Sequence, residues 1–298
     1  MQLKIFIFLL MMLSSLAVNS STKHNSSTLS TTKICENGSD QELLQKNPGH
    51  YFFRRALLCN YEHINNQETF DKTIAILSKS AQYKYPPAYL LIGILYENKY
   101  ESGSLIYNAK GVPQDLSKAI INLEIASSMG STVAQNKLAE LYLDDAHLIE
   151  QNTKIKDISN ADSLIPLPDM TKAIYWFKLA AKNGNPAAQG SLSELYKMGI
   201  GIPQNYVKAY VWQNLSIVSQ YRYNKKITSD SIGKILLKSH IETRDKIYKE
   251  LSANQKIEAQ KLSEDYAKKF VKKPSELDLF STNSISYISA INIKKILG

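Results

Sequence analysis

Four lysines, Lys72, Lys118, Lys172 and Lys208, each head the same side-chain pattern. A recurring pattern limits what a chain can fold into more tightly than any composition does. Sixteen residues beyond the first three lysines come Ala88, Ala134 and Ala188, and eight further on come Tyr96, Tyr142 and Tyr196. Three residues ahead of each lysine stands Thr69, Asp115, Asp169 or Asn205. All four are residue types whose side-chain oxygen can bond the orphan N–H groups at a helix start.

Each register reads as two helices. Ala173, Trp176, Phe177 and Ala180 make one apolar stripe at helical spacing, and Ala188, Leu192, Leu195 and Tyr196 make a second. Beside Ile92, Leu138 and Leu192 lie Gly93, Ala139 and Ser193, small side chains that let two helix backbones approach. Gly130 and Gly184 fall between paired helices, where a left-handed residue ends the first one. Lys84 replaces the glycine in the first register, which predicts a strained or looser turn there. From tyrosine to next lysine the connector is 12 residues at Tyr196–Lys208, 22 at Tyr96–Lys118 and 30 at Tyr142–Lys172. The two longer ones carry polar, turn-rich insertions. A hairpin of this size cannot bury its stripe alone, so neighbours must stack.

The stretches AYLLIGILY (88–96), GVPQDLSKAIINLEIASSMG (111–130), AQNKLAELY (134–142), DMTKAIYWFKLAAKNG (169–184), AQGSLSELY (188–196) and GIPQNYVKAYVWQNL (201–215) resemble the Sel-one-like repeat family, relatives of the tetratricopeptide repeats. On that resemblance the structural repeat positions are Ala88, Gly93, Tyr96, Asp115, Ala134, Tyr142, Asp169, Trp176, Gly184, Ala188 and Tyr196. Asn122 stands where the family prefers Trp, and Ala139 and Ser193 stand where it prefers Gly. The stretch 244–266 is similar to the helix pair that closes such arrays, and its second helix opens with the capping-box pair Ser252 and Gln255. The resemblance implies an all-α fold: a right-handed α/α solenoid of helix-turn-helix repeats with a C-terminal helical cap. It also implies a non-catalytic scaffold for other proteins or peptide segments, without a cofactor.

The expected layout is a signal peptide over 1–20, a flexible Ser/Thr/Asn-rich leader over 21–50, repeats over 51–221, a helical cap over 222–273 and a tail over 274–298. The first segment has Lys4, an apolar run from Ile5 to about Val18 and then small residues, the pattern of an export signal cleaved after Ala17 or Ser20. That run is short for a membrane span. An exported protein, periplasmic or secreted, is therefore expected, with a role in envelope processes or host interaction. A lumenal adaptor in a eukaryote is the alternative. An oxidising compartment would permit a disulfide between Cys35 and Cys59, a pair whose spacing alone does not decide the matter. Tyr89, Gln135 and Gln189, polar positions off the apolar stripe of the second helices, are the candidates for a partner-binding inner surface.

The motifs of catalysis are sparse. His24, His50, His63, His147 and His240 are scattered, and no His-Glu-x-x-His pair exists to hold a metal. Ser231 and Lys234 form a Ser-x-x-Lys pair, the start of a penicillin-type serine enzyme, but Ser-Asp-Asn and Lys-Thr-Gly companions are missing from the sequence. An enzyme of that type is the other alternative function. The net charge of +9 is concentrated: residues 221–273 hold 14 Lys+Arg against 7 Asp+Glu, or +7. Acids interleave the lysines there, which reads as solvated helix faces rather than a phosphate-tracking surface, so no nucleic-acid partner is expected.

Overall fold

The computed structural model describes residues 41–59, 64, 66–97, 114–151, 169–223 and 231–272. Side chains are described for these except at 58–59, 144–151, 223 and 231–236. Every element among the described residues is an α-helix, as the two stripes per register predict. The chain divides into two compact units, one up to Met129 and one from Gly130.

The first unit holds α1 (Gln41–Lys46), α2 (Pro48–Cys59), α3 (Gln67–Gln82), α4 (Pro86–Glu97) and α5 (Leu116–Ser128). Phe53, Ala56, Phe70, Leu77, Ala88, Leu91, Ile92 and Leu95 form its core. Burial of Leu77, fully shielded at 0% exposure, stabilises by about 1.5–3 kcal/mol on transfer grounds. Helix begins at Gln41, inside the stretch expected to be a flexible leader to residue 50. The reason is visible in α2, where Tyr51, Phe53 and Ala56 are buried. The cap of α3 also sits one turn earlier than expected. Asn66 is the N-cap and accepts from the Thr69 backbone N–H, while the Thr69 hydroxyl accepts from the Asn66 N–H, a reciprocal capping box.

The second unit holds α6 (Thr132–Gln151), α7 (Met170–Lys182), α8 (Pro186–Met198), α9 (Tyr206–Tyr223), α10 (Ser231–Lys249) and α11 (Ala253–Phe270). Helix α6 runs nine residues past Tyr142, into the stretch read as connector. That stretch, LDDAHLIEQ, contains neither Gly nor Pro to stop it. Ala134, Leu138, Ala173, Phe177, Ala180, Ala188 and Leu192 are all within 1% of complete burial. Asp169 accepts from the Lys172 N–H at 3.0 Å and Asn205 from the Lys208 N–H at 2.8 Å, so both act as the predicted caps. Ser252 and Gln255 make the predicted capping box at the head of α11. Trp212 on α9 packs edge-on to Tyr266 and stacks with Phe270, both on α11, which fastens the closing helices to the repeats.

The turns between paired helices follow the glycine argument. Gly130 and Gly184 have φ of 97° and 95°, and Lys84 adopts φ 54° in their place. A side chain in that left-handed region costs about 1–2 kcal/mol. The small residues behave as expected too. A Cβ on Gly93 would lie 2.7 Å from Leu123 Cγ and 3.2 Å from the Ala119 carbonyl oxygen. Ser193, in the equivalent place, donates its hydroxyl to the Ala209 carbonyl at 2.8 Å.

Two substitutions should therefore move stability in opposite directions. Lys84→Gly should raise the unfolding free energy by up to ~1 kcal/mol through relief of the left-handed residue. Gly93→Ala should lower it by ~1–3 kcal/mol through overpacking against Leu123, despite the better helix propensity of alanine. Urea unfolding of the two variants beside the unaltered chain measures both.

Candidate functional site

Each junction between one hairpin and the next is closed by the same set of side chains. Lys118 lies over the ring of Tyr96 at 5.1 Å, Lys172 over Tyr142 at 5.1 Å and Lys208 over Tyr196 at 5.4 Å. Such cation–π contacts at exposed sites contribute about 0.5–1 kcal/mol each. The N-cap backbone completes the join: Asp115 N–H donates to the Tyr96 carbonyl at 3.0 Å and Asn205 N–H to the Tyr196 carbonyl at 2.8 Å. Asp115 also pairs with Lys118 at 3.1 Å, and the backbone N–H of Lys118, ahead of its charge, holds the Asp115 carboxyl below the usual carboxylate range. Burial raises the Tyr196 phenol above its ordinary value. The repeat positions Ala88, Ala134, Ala188 and Tyr142 are buried, and Tyr96, Trp176 and Tyr196 are half-buried at these seams.

The three residues expected to face a partner lie inside instead. Gln189 has no exposed surface and donates its amide to the Ala181 carbonyl at 3.1 Å. Tyr89 is half-buried and donates its hydroxyl to the Ala81 carbonyl at 2.8 Å. Both acceptors belong to the last turn of the preceding helix, where carbonyls have no partner within the helix. Gln135 is buried as well, and its Oε1 accepts from Asn183 Nδ2 at 3.1 Å. Tyr89 and Gln189 serve internal capping and Gln135 bonds to the side chain of Asn183, so the outward placement expected for Tyr89, Gln135 and Gln189 is corrected. Ser231 and Lys234 fall at the start of α10, where only the backbone is described. Cys35 lies outside the described residues, and so does the bridge proposed for it with Cys59.

Large apolar side chains do face solvent elsewhere. In the first unit Ile121 on α5 is 56% exposed, with Ile125 one turn further on at 36%. In the second unit Tyr175 on α7 is 58% exposed. Ile121 and Tyr175 occupy one register position, three residues past Lys118 and Lys172. The same position in α9 is Val211, which is buried, and the closing helices α10 and α11 both pack on α9. Ile121 and Tyr175 each stand on the first helix of their own hairpin.

A family profile described as the Sel1 repeat matches residues 100–131, 132–155, 164–185 and 186–212. The chain carries Sel1 repeats in tandem. Hairpin α3–α4 and the closing pair α10–α11 lie outside the matched residues. The chain is 25% identical over 150 residues to an uncharacterized protein of Neisseria meningitidis serogroup B, covering 50% of this chain and 25% of that one. Among solved structures it is similar to a protective antigen of uropathogenic Escherichia coli with an SLR fold: TM-score 0.37, 16% identity, 97% of this chain and 56% of the other. A Sel1 repeat protein from Oxalobacter formigenes gives TM-score 0.32 at 18% identity, over 86% and 75%. The chain thus spans a quarter of the Neisseria protein and little more than half of the Escherichia coli one. Sel1 repeats act in protein–protein interaction. Among the described residues no group of three or more His, Cys, Asp or Glu is placed to hold a metal ion, and no helix is long and apolar enough to cross a membrane.

Sequence reasoning missed two residues of the Sel1 junctions. Gln114 donates its amide to the Glu97 carbonyl at 2.9 Å, and Gln204 donates to the Lys197 carbonyl at 2.8 Å. Each caps the end of the second helix of its hairpin. Their signal was present in Pro113-Gln114-Asp115 and Pro203-Gln204-Asn205, the same triplet type ahead of each lysine. Gln204→Ala should cost ~0.5–1.5 kcal/mol, the net value of one intramolecular hydrogen bond, with Gln114→Ala alike. Thermal unfolding of each variant checks this, and a change indistinguishable from zero would discount the cap.

Proposed function

We propose that this chain is an exported, non-catalytic scaffold that gathers partner proteins on the outward faces of its first helices. The observation that carries the reading is the shared register of Ile121 and Tyr175. Two large apolar side chains, each more than half exposed, recur at one repeat position in two separate units. Val211, at the same position in α9, is buried, so the register itself tolerates an apolar side chain that is covered. The export part rests on Lys4, the apolar run after it and the small residues that follow. A role at the cell envelope or toward a host follows from export and belongs to the same proposal.

Burying one such side chain against a partner contributes about 1.5–3 kcal/mol, so replacing it with a charge should weaken binding by tenfold or more. Proximity labelling in the native cell tests this with the full chain and its Ile121→Glu and Tyr175→Glu variants. Proteins labelled by the unaltered chain should drop out with one or both variants, while the thermal midpoint stays put because both sites are at the surface. The same proteins labelled at the same yield by both variants would remove the outward faces from the proposal. The mass of the protein recovered from the cell tests export separately: it should correspond to removal of the leader after Ala17 or Ser20, and a retained leader would refute cleavage.

A further inference from the structure

Helix α10 rests on α9 through a contact that depends on the protonation state of a histidine. Gln213 on α9 is buried, and its Nε2 lies 3.2 Å from His240 Nδ1 and donates to the His240 carbonyl at 3.3 Å. The ring of His240 also approaches α8, because a Cβ built on Gly190 would lie 3.9 Å from His240 Cε1. Its own helix is anchored farther along by buried Ile247 and by Tyr248, which packs against Tyr210 of α9 at 5.3 Å.

We propose that His240 makes α10 an acid-released cover: when the ring takes up a proton, the middle of the helix leaves α9 while its C-terminal end stays anchored. The reason is a donor and acceptor count. One NH₂ group of Gln213 serves two acceptors of the same residue, Nδ1 and the carbonyl, which requires a ring with a bare Nδ1. Protonation puts N–H against N–H. Turning the amide over restores that contact but sets Gln213 Oε1 against the His240 carbonyl oxygen. Either orientation of the amide loses one partner, and a buried polar group left unmatched weakens the docking.

The charged and titratable groups on the surrounding elements do not offset this. Arg244, one turn along α10, bonds to Asp245. Tyr210, one turn before Gln213 on α9, packs on Tyr248, and burial raises its phenol above the ordinary value. Glu194, one turn beyond Gly190 on α8, pairs with Lys197 through Oε2 while its Oε1 is buried without a hydrogen-bond partner. Burial is the one cause that pushes the His240 ring below the ordinary histidine value. A ring that resists protonation while docked binds fewer protons docked than released. Docking is therefore at full strength above the released ring's pKa near 6.5, and weakens as pH falls from there toward the docked ring's lower value.

Amide hydrogen exchange of the full chain, corrected for intrinsic rates and compared between about pH 7.5 and about pH 5, brackets the ordinary histidine pKa and reads the release directly. Exchange in α10 should rise by up to roughly tenfold for a docked pKa about one unit below the released one, and by at most about thirtyfold at pH 5. That rise should exceed the one in α7. His240→Leu should abolish the pH dependence in α10. NMR titration of the ring in the unaltered chain should place its pKa below the ordinary value, and Gln213→Glu should raise it by placing a carboxylate beside Nδ1. Unchanged α10 protection over the pH range, a ring that titrates at or above the ordinary value, or a pH dependence that survives in His240→Leu would each overturn the proposal. If His240→Leu does not fold, the ring titration and the exchange data of the unaltered chain decide alone.

Discussion

The contact on which the rest depends is the close approach between the second helix of one hairpin and the first helix of the next. At Gly93 the backbone of α5 comes so near that a methyl group would collide with Leu123. At Ser193 the same closeness lets a hydroxyl reach the Ala209 carbonyl, and at Ala139 a methyl fits with no exposed surface. Three different side chains meet one requirement, which is small volume. Departure from glycine at Ser193 is thus compensated by a hydrogen bond that glycine cannot make.

Once helices are that close, their ends need partners, and side chains of the repeats supply them. Tyr89 and Gln189 reach back eight residues to the ends of α3 and α7. Gln114 and Gln204 reach back to the ends of α4 and α8. Asp115, Asp169 and Asn205 hold the starts of α5, α7 and α9. These polar side chains serve the helix ends, while the large apolar side chains of Ile121 and Tyr175 stay exposed.

This division explains what could be read from the sequence. The caps, the left-handed glycines, the paired stripes and the closing capping box are local, and local chemistry was enough to place them. Lys84 was legible as an awkward turn for the same reason, and its φ of 54° bears that out. Thr69 was misplaced by one turn because Asn66, three residues earlier, is also a capping type and wins the position. Tyr89, Gln135 and Gln189 were misread because distance from an apolar stripe suggests solvent. Partners that only folding brings near, a helix-end carbonyl for Tyr89 and Gln189 and the Asn183 side-chain amide for Gln135, made them interior. Tyr175 falls off the stripe of Ala173, Trp176, Phe177 and Ala180, and Ile121 shares its register, so both are exposed. His240 had no local signal, since its partner Gln213 stands 27 residues away on another helix.

The clasp between Tyr96 and Asp115 bridges nineteen residues of chain, and that between Tyr196 and Asn205 bridges nine, with nearly the same bond length. Doubling a loop adds only about 0.6 kcal/mol of closure entropy. Connector length is therefore decoupled from the stacking of the helices it joins. Natural variation can lengthen, shorten or swap that segment as a separable accessory, and a designed peptide could be spliced in there without retuning a single helix contact.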